Sequence, residues 1–301
     1  MPRWLRWTFV ALISWGVWAI TAKLIGEALS GAHSQALSTL GILPIMLAIG
    51  FSKRTAPPGN RQRGILYALA GGAISCLGNV VYYDALSRGG KAAMIVPLTA
   101  LYPLPTILLA LMLLKERLNR IQIAGVFVSL AAIYLFNVQR EEGFLSSWLL
   151  LALVPIVLWG ASGFLQKLST NHISGESSTL WFLGAFIPFG VFFLVQEPLP
   201  AQIKAVTWLL VIAQGFFLAF GNLAVLAAFA DHGKASIVTP LAALYPMISV
   251  PIAIGFLGES IGVREAVGIF LALVSVTALS YETQPPKPTQ PAASPATQPT
   301  P

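Results

Sequence analysis

Fourteen residues, Gly90 to Pro103 (GKAAMIVPLTALYP), return 143 positions later as Gly233 to Pro246 (GKASIVTPLAALYP), with nine identities in register. The same offset carries Asn79 to Asn222, Glu116 to Glu259 and Gly125 to Gly268. Nearer the N-terminus the offset is 144. It pairs Trp15-Gly16 with Trp159-Gly160, Lys23-Leu24 with Lys167-Leu168, and Pro44 with Pro188, so one residue was gained or lost between Pro188 and Asn222. Landmarks that recur in one order are the trace of an internal duplication. Any fold for this chain must be built from two copies of one unit.

Composition says what the unit is. Hydrophobic residues make up 56% of the 301 and charged residues 10%, against about 25% charged in an ordinary soluble domain. Apolar runs recur at close to the ~20 residues that cross a bilayer as a helix. Helices are required, because the hydrocarbon offers no water to satisfy stray backbone groups. The runs place spans at 5–25, 34–51, 64–87, 91–114 and 121–138, then 146–168, 177–196, 207–230, 234–257 and 262–281. The expected fold class is therefore an all-α polytopic membrane protein, ten transmembrane helices in two repeats of five. The first repeat covers 1–140 and the second 141–281. The remaining 282–301 hold seven prolines among Ser, Thr, Gln and Ala, a composition that cannot bury enough surface to fold.

The positions of Lys and Arg set the orientation. With the N-terminus cytoplasmic, twelve fall on the inner side and six on the outer, which puts both termini inside. An odd number of helices per repeat turns the second copy upside down. The charges agree: the loops after spans two and four are basic, whereas their mates after spans seven and nine carry only Lys204 and Arg264. The first span has a basic start but no small-residue cleavage site, and reads as retained.

Other classes of function are set aside on the same residues. Cys76 is the single cysteine and the three histidines are scattered, so neither a disulfide framework nor a metal site is expected, and no cofactor is implied. The phosphate-cradling G-x-x-x-x-G-K-[ST] loop is absent. Glu27 and Asp84 lie near span ends and the other acids in or beside loops or in the tail, so no buried carboxylate is available for proton coupling. An enzyme would need intramembrane acid or histidine clusters, and none is present. The net charge of +7 suits a surface facing anionic lipid and requires no nucleic acid.

Two inverted halves can exchange conformations and open a midplane cavity to either side in turn. Pro97 and Pro103 in span four, with Pro240 and Pro246 in span nine, lie near that depth and each removes a backbone hydrogen bond, giving kinks with free carbonyls. Tyr102 and Tyr245 precede the second proline of each pair and are too deep for an interfacial belt, so their hydroxyls need a partner or a ligand. Asn79 and Asn222 lie at similar depth, where a buried amide either bonds a neighbouring helix or contacts substrate. Trp15 and Trp159 offer apolar walls with one donor, or pack against neighbours. Lys23 and Lys91 near the outer face, with Lys167 and Lys234 near the inner, either snorkel to the interface or form gate charges that draw in anionic groups. Gly125 with Ser129, and Gly268 with Ala272, have the spacing for close helix contact within or between chains, so a homodimer through spans five and ten is one expectation.

The tryptophan-glycine pair in the first span of each half, the Pro-x-x-x-x-x-Pro fourth span ending in Lys-Glu-Arg or Gly-Glu-Ser, and the glycine-started fifth span resemble the drug/metabolite transporter superfamily, EamA type. The resemblance covers about 5–281. It implies a carrier of the bacterial inner membrane, often an exporter of amino acids or other small metabolites, with its cavity between spans three, four, eight and nine, helped by one and six. Carried onto this chain, the matched positions are Trp15, Asn79, Pro97, Tyr102 and Glu116, and their mates Trp159, Asn222, Pro240, Tyr245 and Glu259. The two glutamates are expected to pin the turn into the next helix. A non-coupled facilitator or a lipid flippase is the alternative.

Overall fold

The structure is a computed structural model that describes residues 1–51, 59–88, 90–114, 119–137, 147–230, 238, 241–279 and 281, and among these every regular element is helical. In chain order the helices are α1 (Arg3–Ile25), α2 (Gly31–Gly50), α3 (Arg61–Ser87), α4 (Ala92–Thr99), α5 (Pro103–Leu114) and α6 (Arg120–Asn137). They continue as α7 (Ser147–Thr170), α8 (Gly175–Gly184), α9 (Phe186–Gln196), α10 (Ala205–Ala230), α11 (Pro246–Leu257) and α12 (Val263–Leu279). Six helical stretches among the described residues are long and apolar enough to cross a membrane: Arg3–Ile25, Gly31–Gly50, Arg61–Ser87, Leu151–Thr170, Gly175–Gln196 and Ala205–Ala228. Shorter apolar helices accompany them. The surface is inside-out for water, since Phe51, Phe256, Val263, Met112 and Phe127 stand exposed while Gln35, Ser38, Thr99, Ser129 and Gln214 are buried. Such a surface is suited to lipid.

Helix starts follow local chemistry. Ser30, Asn60 and Ser174 cap α2, α3 and α8 by accepting from the backbone N–H three residues on, which satisfies one orphan donor at each end. Gly258 closes α11 at φ 67°, a left-handed conformation that glycine adopts without strain. The following Glu259 N–H returns to the Ala253 carbonyl at 3.1 Å.

Spans four, seven and nine differ from the expected single helices. Span four breaks into α4 and α5, because Pro103 begins a new helix instead of bending an old one, a position where its missing N–H is not needed. Pro246 likewise begins α11, immediately after its N-cap, Tyr245. The connecting turns are built alike, with Leu101, Tyr102 and Leu104 donating three residues back, as Leu244, Tyr245 and Met247 do. Pro97 sits within α4; Pro240 lies outside the described residues. Span seven divides at Ala185 into α8 and α9, three residues before Pro188, whose ring clashes with the carbonyl four back. Pro44, its mate, leaves α2 continuous.

The packing comes in couples. α1 lies along α10 and α3 along α7; α2 meets α10 while α3 meets α8 and α9; α11 meets α1 while α5 meets α7; and α6 lies along α12. α3 and α7 are antiparallel, since Ser162 Oγ donates to Gly71 O and Ser169 Oγ to Gly64 O, both at 2.8 Å. Where α2 crosses α10, Gly41 and Gly215 let the backbones touch: a Cβ on Gly215 would overlap the Ser38 carbonyl oxygen. In the α6–α12 seam, Ser275 Oγ donates to Gly125 O at 3.1 Å, and Ser129, Gly268 and Ala272 are all buried. These small residues serve contact within the chain, leaving the outward faces of both helices for any second copy.

Candidate functional site

Two devices repeated across the halves shape the interior. Trp159 lies over Gly78, where a Cβ would come within 2.7 Å of the indole Nε1, and Trp15 lies over Gly221 in the same way. The glycine beside each tryptophan admits the broken helix of the opposite half. A Cβ on Gly16 would stand 2.6 Å from Ile248 Cβ, and one on Gly160 would stand 2.6 Å from Pro105 Cβ. Ile248 and Pro105 are themselves repeat mates, so each Trp-Gly pair sets a ring against one helix and opens a seat for another.

The result is a cavity of about 110 Å³ whose walls include Trp15, Asn79, Tyr102, Trp159, Asn222 and Tyr245. All six residues singled out from the sequence as substrate-contacting therefore meet around one space, three from each half. Sequence reasoning missed Trp18, Ser75, Ser162, Gln166 and Phe182, which also line it. None of the described lining residues is charged. A larger depression of about 560 Å³ lies on the surface between α9 and α10, walled by residues 199–204 and Trp208. It is formed by one local segment, the α9–α10 connection and the first turn of α10.

One end of the cavity is stopped by aromatic rings. Trp18 stacks on Tyr82 with centroids 5.2 Å apart and lies 5.6 Å from Trp159 and 6.3 Å from Tyr245. Its Nε1 donates to Tyr83 Oη at 2.8 Å, and Tyr82 Oη donates to the Ala19 carbonyl at 3.1 Å. Trp18, Tyr82 and Tyr83 are each at most 5% exposed. Their repeat-related positions hold Ser162, Val225 and Leu226, which are too small to make the same plug. At the other end the lining runs along α7 to Gln166, about 10 Å past Trp159 at 1.5 Å per residue.

Beyond the plug, at the face where α1 ends (the far face), the charged residues are engaged with one another. Glu259 accepts from the backbone N–H groups of Ala92 and Ala93 at 2.9 and 2.8 Å, capping α4 from across the bundle. Lys23 Nζ donates to Gly90 O at 2.8 Å and stands 3.7 Å from the Glu259 carboxylate. Lys91 Nζ donates to Ser260 O at 2.8 Å. Glu259 thus ties the end of α11 to α1 and α4, a reach the expectation of a turn-pinning residue did not include. Lys167 sits in the last turn of α7; Lys234 and Glu116 lie outside the described residues. Among the described residues no group of three or more His, Cys, Asp or Glu could hold a metal ion.

An uncharged, aromatic-walled cavity inside a bundle of lipid-compatible helices defines a polytopic membrane protein of the solute-handling kind. The chain belongs to the EamA-like transporter family, whose model matches residues 2–138 and again 146–281. Membership implies a small-molecule transporter of the drug/metabolite transporter superfamily, a class that is generally non-enzymatic. An uncharacterized protein of Methanocaldococcus jannaschii is 31% identical over 79 residues, a stretch covering 26% of this chain and 57% of that protein. A crystal structure of a protein aligns over 90% of this chain and 94% of its own with a TM-score of 0.61 at 17% identity, a likeness of fold.

Proposed function

We propose that this protein is a secondary transporter that exports a small amphipathic or amino acid-like metabolite by alternating access between two inverted five-helix repeats, ten spans in all. In this reading it sits in a bacterial inner membrane with both termini cytoplasmic. The observation that carries the reading is the convergence of three residues from each half, Trp15, Asn79, Tyr102, Trp159, Asn222 and Tyr245, on one cavity.

Inversion is supported by helix direction. α1 advances with α3 from the Trp18–Tyr82 stack to the Lys23–Gly90 contact, whereas α7, the mate of α1, runs against α3. The two mates therefore point in opposite senses. With the far face closed by Trp18, Tyr82, Tyr83 and the Glu259 contacts, this conformation is the inward-facing or occluded one of the cycle. Lys23 and Lys91 are read as closing contacts of that face, which must part when it opens. The cavity is smaller than the ~300–1,000 Å³ of ordinary ligand clefts, in keeping with a contracted state. Export as the direction rests on the family resemblance alone.

The test is untargeted mass spectrometry of medium and cytosol from cells carrying no copy, the wild-type copy, or a Tyr102→Ala, Tyr245→Ala copy at equal expression. A compound enriched in the medium only with the wild type names the cargo. Equal export by the double variant would remove these tyrosines from the pathway. No change in any strain would turn the reading toward uptake, a facilitator or lipid movement.

A further inference from the structure

The two repeat-related tryptophan–asparagine couples are in different states. Trp159 Nε1 donates to Asn79 Oδ1 at 3.0 Å. Across the repeat, Asn222 turns its Nδ2 back to Leu218 O at 3.0 Å, and Trp15 Nε1 is buried without an acceptor. The glycine cradle beneath both rings is the same, so the difference lies in the amide and not in the seat of the indole. Asn79, only 1% exposed, has its Oδ1 occupied and its Nδ2 unpaired. Two cavity-lining residues, one from each half, therefore hold N–H donors with nothing to receive them. A buried donor left so is costly, and such groups persist where a function uses them.

Two features of the walls oppose each other in setting what could bind. Rings of Trp and Tyr ordinarily favour organic cations through their negative faces. Here none of the described lining residues carries a carboxylate to hold a cation, and the unpaired polar groups of Trp15 and Asn79 are N–H donors, both closed off in this conformation. In a low-dielectric site, fixed dipoles of that sign weigh heavily against a cation and in favour of an acceptor.

We infer that Trp15 Nε1 and Asn79 Nδ2 are the recognition pair for the cargo: they donate to a carboxylate or carbonyl oxygen on a molecule whose flat apolar body lies among the aromatic walls, and the site refuses organic cations. This rests on the transporter reading of the cavity. Asn79 has a double role, fixing Trp159 with its oxygen and the cargo with its nitrogen.

The test uses the purified full-length protein in nanodiscs and four probes on one skeleton: phenylacetate, phenylacetamide, phenethylamine and phenethyltrimethylammonium. Binding is read from the saturable rise in thermal unfolding midpoint. The acid and the amide bind, and the two cations do not. Trp15→Phe keeps a ring and loses the donor; Asn79→Asp keeps the acceptor for Trp159 and loses the donor. Each weakens phenylacetamide about tenfold, the worth of one hydrogen bond of about 1.4 kcal/mol. Cations that bind as tightly as the acid, wild-type affinity for the amide in both variants, or no binding by any probe would each overturn the inference. A protein that ignores all four probes yet exports a compound in the metabolite profile keeps the transporter reading and loses this one. Binding through Trp15 and Asn79 without any export does the reverse.

Discussion

Replacing Glu259 by alanine should unfasten the start of α4 without unfolding the bundle. The carboxylate accepts two backbone N–H groups at 2.9 and 2.8 Å. Capping interactions of this kind are worth about 1–2 kcal/mol, and more when the acceptor is charged. The pair with Lys23 at 3.7 Å, between side chains 22% and 8% exposed, adds up to about 1 kcal/mol after screening. The total is roughly 2–4 kcal/mol, an increase of roughly 30- to 900-fold in the population with this end open. Hydrogen exchange on the protein in nanodiscs reads that population directly, because the Ala92 and Ala93 amides are the ones Glu259 covers. In the wild type they exchange slowly; in Glu259→Ala they exchange about thirtyfold faster or more, with Glu259→Gln between, since it keeps one acceptor oxygen and loses the charge. Amides of the α6–α12 seam, remote from the substitution, should exchange as before and serve as the control for folding. If Ala92 and Ala93 exchange at the same rate in wild type and Glu259→Ala, the carboxylate does not hold this face and the closing role assigned to it fails.

Three further substitutions test the packing. Gly215→Ala places a methyl group onto the Ser38 carbonyl, so α2 cannot cross α10 and the protein is lost from the monodisperse peak in detergent gel filtration. Gly255→Ala, with nothing within 4 Å of the new Cβ, elutes and unfolds as the wild type does. Gly125→Ala puts a Cβ 2.9 Å from Leu279 N and 3.1 Å from Ala278 Cβ; overpacking of this order costs about 1–3 kcal/mol. Its thermal midpoint should fall while the mass by light scattering stays unchanged, whereas a fall in mass would show that the residue supports a dimer and not the internal seam.

Much of the site was legible because it was written twice. Trp15, Asn79, Tyr102 and their mates could be picked out by offset alone, and the depth of each follows from its place in an apolar run. Trp18, Tyr82 and Tyr83 carry no such mark. Their mates are Ser162, Val225 and Leu226, so a search for what the halves share passes over the residues that make the two ends of the cavity unlike. The helix breaks were half legible: proline announces an interruption, but whether the chain bends or restarts depends on whether the neighbouring turn can close by bonds three residues back, as at Tyr102 and Tyr245.

By itself the sequence determined the medium, the helical class and the duplicated plan, because hydrocarbon permits a single-chain backbone few solutions and a constant offset is independent of packing. It also determined which residues lie deep. The tertiary structure alone decided their partners: that Glu259 reaches back across the bundle to α4 instead of forward into α12, that Trp159 is tied to Asn79 while Trp15 is not, and that Trp18 closes one end. Those outcomes depend on side chains far apart in the chain meeting at separations of a few ångströms, and on which of two equivalent hydrogen bonds is made in a given conformation. A repeat makes both bonds possible; only the packed state chooses between them.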